Sequence, residues 1–517
     1  MANRPVAIRR ALPGALAAAC VAAFVASALG AVLWFAGGGG WPDAADWAAL
    51  RFTVMQAGLS AVFSVTLAIP VARALARRSF PLRGALIVLL GAPFILPVIV
   101  AVMGLLTVFG RSGIVSDFLA LLGLPKLSIY GLHGVLLAHV FLNLPLATRI
   151  LLQGWQDIPA ERFRLAATLG MGPAQIQRFL EWPMLRATAP AALLAVFGMC
   201  LNSFAVVLML GGGPKSTTLE LAIYQAFRFD FDLGRAATLA AIQALLVGGV
   251  VWIALRFTRL EGQGAGMDRP RRIWGVGSRW LRLQDTVLIV LAALFLLVPL
   301  GSVVLRGVAG LADVPPSVWG AFGASVSVAL VSTVLAVVVS LWVAIAALRW
   351  GWTEVLATLG LSVSPLVLGT GLFLMVNPWI NPARLAFAVT ALVNAVMLIP
   401  FALRVIAPAL RAIEADYGRQ ADILGLTGWA RMRLLILPRA RRGLGFAAGL
   451  AAAMSMGDLG VIALFADPHQ ATLPLQMYRL MGAYRMEAAA GAALILLGGS
   501  LALFWIFDRW GRGDAKA

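Results

Sequence analysis

Twelve apolar stretches, each close to the roughly 20 residues that a helix needs to cross a hydrocarbon layer once, dominate this chain of 517 residues. They fall near 11–36, 49–72, 84–110, 130–152, 187–211, 234–257, 285–305, 318–348, 353–376, 385–409, 443–466 and 487–508, bounded by Arg, Pro or Gly. A chain that is 61% hydrophobic and 12% charged, with a mean hydropathy of +0.92, is too apolar to be a soluble globular protein. The expected fold is therefore an all-α membrane protein of about 12 transmembrane helices. The first stretch is not read as a secretory leader, because no small-x-small cleavage site followed by a soluble domain comes after it.

The net charge of +19 would point to nucleic acid in a soluble protein. Here its distribution gives it another meaning. With the N-terminus inside, 31 of the 41 Lys and Arg fall on cytoplasmic segments and 10 on the other side, which places both termini in the cytoplasm. The charge then reports topology and contact with anionic lipid, and no nucleic-acid partner is expected. Cys20 and Cys200 lie in different apolar stretches at no metal or redox spacing, so both read as small core residues and no metal site is expected.

Shifting the sequence by 255 residues lays Ile158–Pro183 on Ile413–Pro438 without a gap. Ile158/Ile413, Ala160/Ala415, Arg164/Arg419, Ala166/Ala421, Leu169/Leu424, Gly170/Gly425, Arg178/Arg433, Leu180/Leu435 and Pro183/Pro438 are identical, and Glu161/Asp416 keeps an acid in register. Pro145/Pro400 and Arg149/Arg404 share the offset, and Tyr224/Tyr478 follows at 254. The repeat thus covers membrane helices as well as the loop. Between the copies runs a Gly- and Arg-rich stretch with a linker's composition. The expected organisation is a first half at 1–260, a cytoplasmic linker at 261–284 and a second half at 285–517, related as a parallel repeat.

Each repeated loop holds a short helix-compatible run, Pro159–Leu169 and Glu414–Leu424, that stops at Gly170 or Gly425, where a left-handed residue ends a helix. Glu161 or Asp416 near the start suits the helix dipole, and small residues such as Ala166, Ala167 and Ala421 keep one face low. A basic amphipathic run then leads to Pro183 or Pro438, where the chain returns to the membrane.

An acid, a Gly nine residues later and a Pro thirteen beyond it resemble the EAA loop of ABC importer permeases. The resemblance implies the type I importer permease (MetI-like) fold in a bacterial inner membrane, with the short helix of each loop seated in a groove of an ATPase subunit. Residues Glu161, Ala166, Ala167, Gly170 and Pro183, and Asp416, Ala421, Gly425 and Pro438, would then carry the coupling. The chain departs from the pattern in lacking a contiguous acid-Ala-Ala: Arg162 and Phe163 follow Glu161, and Ala421-Asp422 replaces Ala166-Ala167. Two loops in one chain match two copies of a cytoplasmic ABC ATPase. No Gly-Lys dipeptide exists among the three lysines, so the phosphate loop is absent; no cofactor is expected in this chain, and ATP and Mg would be bound by the partner.

The fused arrangement resembles the thiamine and ferric-iron importer permeases, and Leu210–Ala237 and Gly457–Arg485 resemble thiamine permeases in particular. That likeness implies a periplasmic thiamine-binding protein as partner and thiamine or thiamine pyrophosphate as cargo. Iron, another small solute, or ion-coupled secondary transport are the alternatives. A flat cation favours aromatic faces, hydrogen-bonding groups and an acid on its path. Asp458 reads as the one carboxylate well inside an apolar stretch, and its repeat mate Ser203 stands beside Asn202; these three are the expected pathway residues. His139, Asn143 and Asn394 read as interhelical hydrogen-bonding groups. No nucleophile or metal-ligand spacing appears, so no catalytic residue is expected.

Overall fold

The computed structural model describes residues 8–38, 40–91, 95–257, 279–465 and 470–513, and every regular element within them is helical. In the first copy, α1 (Ile8–Ala36) and α2 (Ala44–Arg77) precede the short α3 (Arg83–Leu89). Then come α4 (Val98–Phe109) and α5 (Ile114–Leu121), on either side of a turn at Gly110 and Gly113. α6 (Leu132–Asp157) leads into the repeated loop with α7 (Ala160–Thr168) and α8 (Pro173–Ile176). The chain continues through α9 (Trp182–Leu201), α10 (Phe204–Leu210), α11 (Leu219–Gln225) and α12 (Leu233–Phe257).

The second copy opens with α13 (Arg279–Gly310) and α14 (Pro316–Ala347), then the short α15 (Trp352–Ala357) and α16 (Pro365–Val376). α17 (Ala386–Ile423) and α18 (Gly428–Arg431) carry the second loop. α19 (Leu437–Met456), α20 (Gly460–Phe465), α21 (Leu473–Gly482) and α22 (Met486–Arg512) complete it. Most of the linker expected at 261–284 lies outside the described residues, as does His469; residues 279–284 are the first turns of α13.

Among the described residues, eleven helical runs are long and apolar enough to cross a membrane, against the twelve expected. The stretch at 353–376 is the one left out, because its helix is too short. Pro365 pushes Ser364 out of helical geometry (φ −78°, ψ 153°), and the Ser364 hydroxyl caps Val367 N–H at 3.2 Å, so a new helix of 12 residues starts there. Pro97 does the same before α4, also 12 residues long, which splits the stretch at 84–110.

The two copies exchange their first helices. α1 lies against α14 and α16, while α13 lies against α2 and α4. Glycines let these helices touch backbone to backbone: a Cβ on Gly371 would sit 2.3 Å from the Ala28 carbonyl oxygen, and one on Gly104 would sit 2.7 Å from that of Pro299. At one end of this contact Asp285 of α13 is buried between Arg77, the last residue of α2, and the extended Arg78 that follows it, each at 2.7 Å. Equivalent hydroxyls also serve both copies. Thr53 and Ser325, each the tenth residue of its helix, accept the N–H of Leu219 and Leu473 at 2.9 and 2.8 Å, which tie α11 to α2 and α21 to α14.

Candidate functional site: two loop helices and a broken central pair

Gly170 and Gly425 have the same backbone conformation, φ +64° and +63°. In both loops the residue after the glycine donates to the carbonyl five back, Met171 to Ala166 and Leu426 to Ala421, each at 2.9 Å. The glycine N–H reaches the Ala167 or Asp422 carbonyl, so both helices end in a complete Schellman turn. Ala166 and Ala421 are buried beneath the helix, whereas Glu161, Ala167, Gly170, Asp416 and Gly425 are exposed on its outer side. Beside each glycine stands an exposed leucine, Leu169 at 63% and Leu424 at 72%. Exposed apolar side chains at a helix end are suited to a partner surface, and only their identity in the repeat signalled them in the sequence.

The loops differ at their entrances. In the first, Pro159 and the extended Ile158 (φ −68°, ψ 119°) separate α6 from α7. In the second, Glu414 takes the place of Pro159, and α17 runs unbroken for 38 residues through the whole loop segment as far as Ile423. The separate short helix expected at Glu414–Leu424 is thus the last part of a transmembrane helix. Arg431 braces it with ion pairs to Glu414 at 2.5 Å and Asp422 at 2.6 Å. In the first loop, Glu181 instead pairs with Arg73 of α2 at 2.6 Å.

Pro183 and Pro438 sit within continuous helix, not at the start of a new one. Pro183 has no N–H to give to the preceding turn, and the helix adapts with one π-turn at Gln177–Glu181. Pro438 has the same turn at Met432–Ile436.

Deeper in the membrane, α9 and α10 are separated by Asn202 (φ −102°, ψ 48°) and Ser203 (φ −107°, ψ 37°). A break at this depth frees backbone groups that lipid cannot satisfy. Side-chain amides and a carboxylate take their place: Gln56 donates to the Cys200 carbonyl at 2.9 Å, Gln243 to that of Leu201 at 3.0 Å, and Glu220 accepts from Phe204 N–H at 2.9 Å. The second copy breaks at Gly457–Leu459, where Asp458 Oδ1 lies 3.4 Å from Gly460 N–H. Each copy therefore brings one carboxylate to the first turn of its half-helix, from α11 in one and from the break itself in the other.

Glu220 is 2% exposed and escaped the sequence reading, which singled out Asp458 as the one embedded acid. Its position between Leu219 and Leu221 was the available signal. The Ser364 hydroxyl of the second copy also lies close to Glu220. A Cβ on Gly457 would lie 2.9 Å from Pro97, and one on Gly460 would lie 3.8 Å from Asp458 Oδ1 and 4.0 Å from the Phe204 ring. The two breaks thus meet where the copies meet. Asn202 Oδ1, Ser203 Oγ and Asp458 Oδ2 are all buried without a hydrogen-bond partner. Asn202 and Ser203, with His139 and Asn143, line a cavity of about 170 Å³; Asp458 lies outside its lining, beyond Phe204. Tyr224 and Tyr478, mates in the repeat, share a second cavity of about 210 Å³.

His139, Asn143 and Asn394 do make the interhelical bonds expected of them. His139 Nδ1 lies 2.9 Å from Ser60 Oγ, and Asn143 donates to the His139 carbonyl at 2.9 Å and to Cys200 Sγ at 3.3 Å. Asn394 donates to Ser455 at 3.0 Å, and Ser455 is 2.7 Å from Ser332. No group of three metal-ligating side chains occurs among the described residues.

This architecture has close sequence counterparts. The thiamine transport system permease protein ThiP of Salmonella typhimurium is 41% identical over 98% of this chain and 97% of its own length. That of Escherichia coli is 40% identical, with 96% of each chain covered. The chain belongs to the thiamine transport system permease family. No family model matches it. A shorter similarity, 30% identity over 34% of this chain and 78% of the relative, is to the molybdenum transport system permease protein ModB of Azotobacter vinelandii. A ThiP-family chain with these helices is a multi-pass ABC importer permease, a transport subunit instead of an enzyme.

Proposed function

We propose that this permease moves thiamine inward across the bacterial inner membrane as the membrane subunit of an ATP-driven importer. The observation that carries the reading is the match, along nearly the whole chain, to relatives named as thiamine transport permeases. A periplasmic thiamine-binding protein delivers the cargo, and two copies of a cytoplasmic ATPase, which hold ATP and Mg, dock on the loops at 158–183 and 413–438. The excess of basic residues on the loop side supports both termini being cytoplasmic.

In this mechanism Glu161, Ala167 and Gly170, with Asp416 and Gly425, face the ATPase grooves, and Leu169 and Leu424 anchor them. Ala166 and Ala421 pack the docking helices onto the permease, and Pro183 and Pro438 set the π-turns that join each loop to a membrane helix. Closure of the ATPase dimer brings the two loops together. α17 carries that motion directly to the second break at Asp458, and α8 and α9 carry it to Asn202 and Ser203. The contacts of Pro97 with Gly457 and of Ser364 with Glu220 are then remade as the copies rock, which is alternating access.

The test uses permease and ATPase in proteoliposomes with thiamine-loaded binding protein outside and ATP inside. Labelled thiamine should accumulate, unaffected by a protonophore. Accumulation that needs no ATP, or that collapses with the proton gradient while ATP is held constant, would overturn the reading.

A further inference from the structure

The cavity at the break of α9 has three features of a binding site. It is enclosed by two polar clusters from different helices, His139 and Asn143 on α6 and Asn202 and Ser203 at the break. Three polar atoms on these residues are buried without partners: His139 Nε2, Asn202 Oδ1 and Ser203 Oγ. His139 is 2% exposed, and its other ring nitrogen is held by Ser60 at 2.9 Å, so the imidazole is fixed by one edge and left open at the other. Buried polar atoms without partners are costly and rare in a folded chain.

At the equivalent place in the second copy the mate of His139 is satisfied from within, while the mate of Ser203, Asp458, keeps an unpaired Oδ2. Asn394 replaces His139 and donates to Ser455, which also meets Ser332. The unpaired His139 Nε2 and Asn202 Oδ1 therefore have no counterpart in the second copy, where Asn394 and Gly457 stand in their places.

We propose that this cavity is a subsite for an amino-substituted nitrogen heterocycle, the neutral aminopyrimidine end of the cargo, an inference that rests on the thiamine reading above. At about 170 Å³ it is well below the roughly 300–1,000 Å³ that encloses a drug-sized molecule and is sized for one substituted six-membered ring. The apolar wall, with Val98, Leu142 and Val206, covers the faces of such a ring. His139 Nε2, Asn202 Oδ1 and Ser203 Oγ meet its edge, where a ring nitrogen accepts and an exocyclic amine donates. The cationic end then extends past Phe204 toward Asp458, whose Oδ2 is unpaired and whose Oδ1 shares the contact at Gly460 with the Phe204 ring. A site that accepts a hydrogen bond from an amine rejects an analogue carrying a carbonyl there, because acceptor then faces acceptor.

The experiment measures equilibrium binding of labelled thiamine and of oxythiamine, in which a carbonyl replaces the pyrimidine amine. It uses the complete permease–ATPase complex in lipid nanodiscs without binding protein. The wild type should bind thiamine at least tenfold more tightly than oxythiamine. Ser203→Ala and His139→Phe should weaken thiamine binding about tenfold and narrow the discrimination, and His139→Gln should restore part of it. Because His139→Phe removes the Ser60 contact and can fail to assemble, Ala205→Leu, which fills the cavity from a position without polar contacts, provides an independent arm with the same expected loss. The inference fails if the wild type shows no saturable thiamine binding up to 1 mM, if it binds both compounds equally, or if Ser203→Ala and Ala205→Leu bind as the wild type does. Such failure with normal ATP-driven uptake in proteoliposomes leaves the transport reading standing, whereas absent uptake removes both.

Discussion

Pro159 and Glu414 stand at the same place in the two copies of the repeat, and only Pro159 breaks its helix. The first loop helix is hinged to the membrane domain, and the second is the last part of α17, which is roughly 57 Å long at 1.5 Å per residue. A helix that continues from membrane span to loop passes on displacement and rotation more directly than one interrupted by an extended hinge residue, even with Pro400 and Pro408 inside it.

Introducing the hinge into the second loop should separate docking from transport. Glu414→Pro costs about 3 kcal/mol in a helix interior and breaks the helix, but it also removes one partner of Arg431. Glu414→Ala removes the partner alone. The expected outcome is normal ATPase co-purification for both, with uptake per ATP lowered at least fivefold by Glu414→Pro and less than twofold by Glu414→Ala. Equal ratios for the two variants would show that the continuity of α17 does not matter.

The two glycines offer a cleaner test of loop geometry, because nothing lies within 4 Å of a Cβ built on Gly170 or Gly425. Substitution there changes conformation without creating a clash. Forcing a left-handed alanine costs about 1–2 kcal/mol, so Gly170→Ala and Gly425→Ala should each weaken ATPase co-purification severalfold while leaving permease levels in the membrane unchanged. Pro cannot adopt positive φ, and Gly170→Pro or Gly425→Pro should abolish coupled uptake. Wild-type uptake in both proline variants would remove the docking assignment.

These loops were largely legible in sequence because their signals are local: a glycine past a helix end, an acid near its start, a fixed repeat offset. The membrane interior was less so. Hydropathy registers apolar length, and 353–376 has it, but hydropathy is insensitive to Ser364-Pro365, whose effect is steric. The continuity of α17 followed from one residue, Glu414, whose meaning appears only against its mate Pro159. Glu220, Gln56 and Gln243 escaped because each is an isolated polar residue in apolar surroundings, and its task, holding a backbone group across a break, depends on a partner 16 to 144 residues away.

Glu220 allows charge to be separated from hydrogen bonding. Glu220→Gln keeps an acceptor for Phe204 N–H, whereas Glu220→Leu leaves the Phe204 N–H buried and unpaired at a cost of about 1–3 kcal/mol. Protein level and thermal stability in detergent should be close to wild type for the first and clearly reduced for the second. If Glu220→Gln is stable yet transports at least tenfold more slowly, its negative charge serves the cation's path; if it transports normally, Glu220 serves only the break.

The exchanged first helices make a last demand, on Gly371. A Cβ there would meet the backbone of α1 so closely that any side chain must drive the helices apart, since the atom in the way is the carbonyl oxygen of Ala28 and not a side chain that can rotate aside. Overpacking of this kind costs about 1–3 kcal/mol or more. Because α1 is held by α14 and α16 of the other copy, the loss should appear as separation of α1 and not as a local softening. Gly371→Leu is expected to lower the melting temperature in detergent and to make the junction after α1, near Trp41, cleavable by added protease. Gly301→Leu on α13, where a Cβ meets nothing within 4 Å, should do neither. A Gly371→Leu protein as stable and protease-resistant as the wild type would mean that the close approach of α1 to α16 is not what joins the copies.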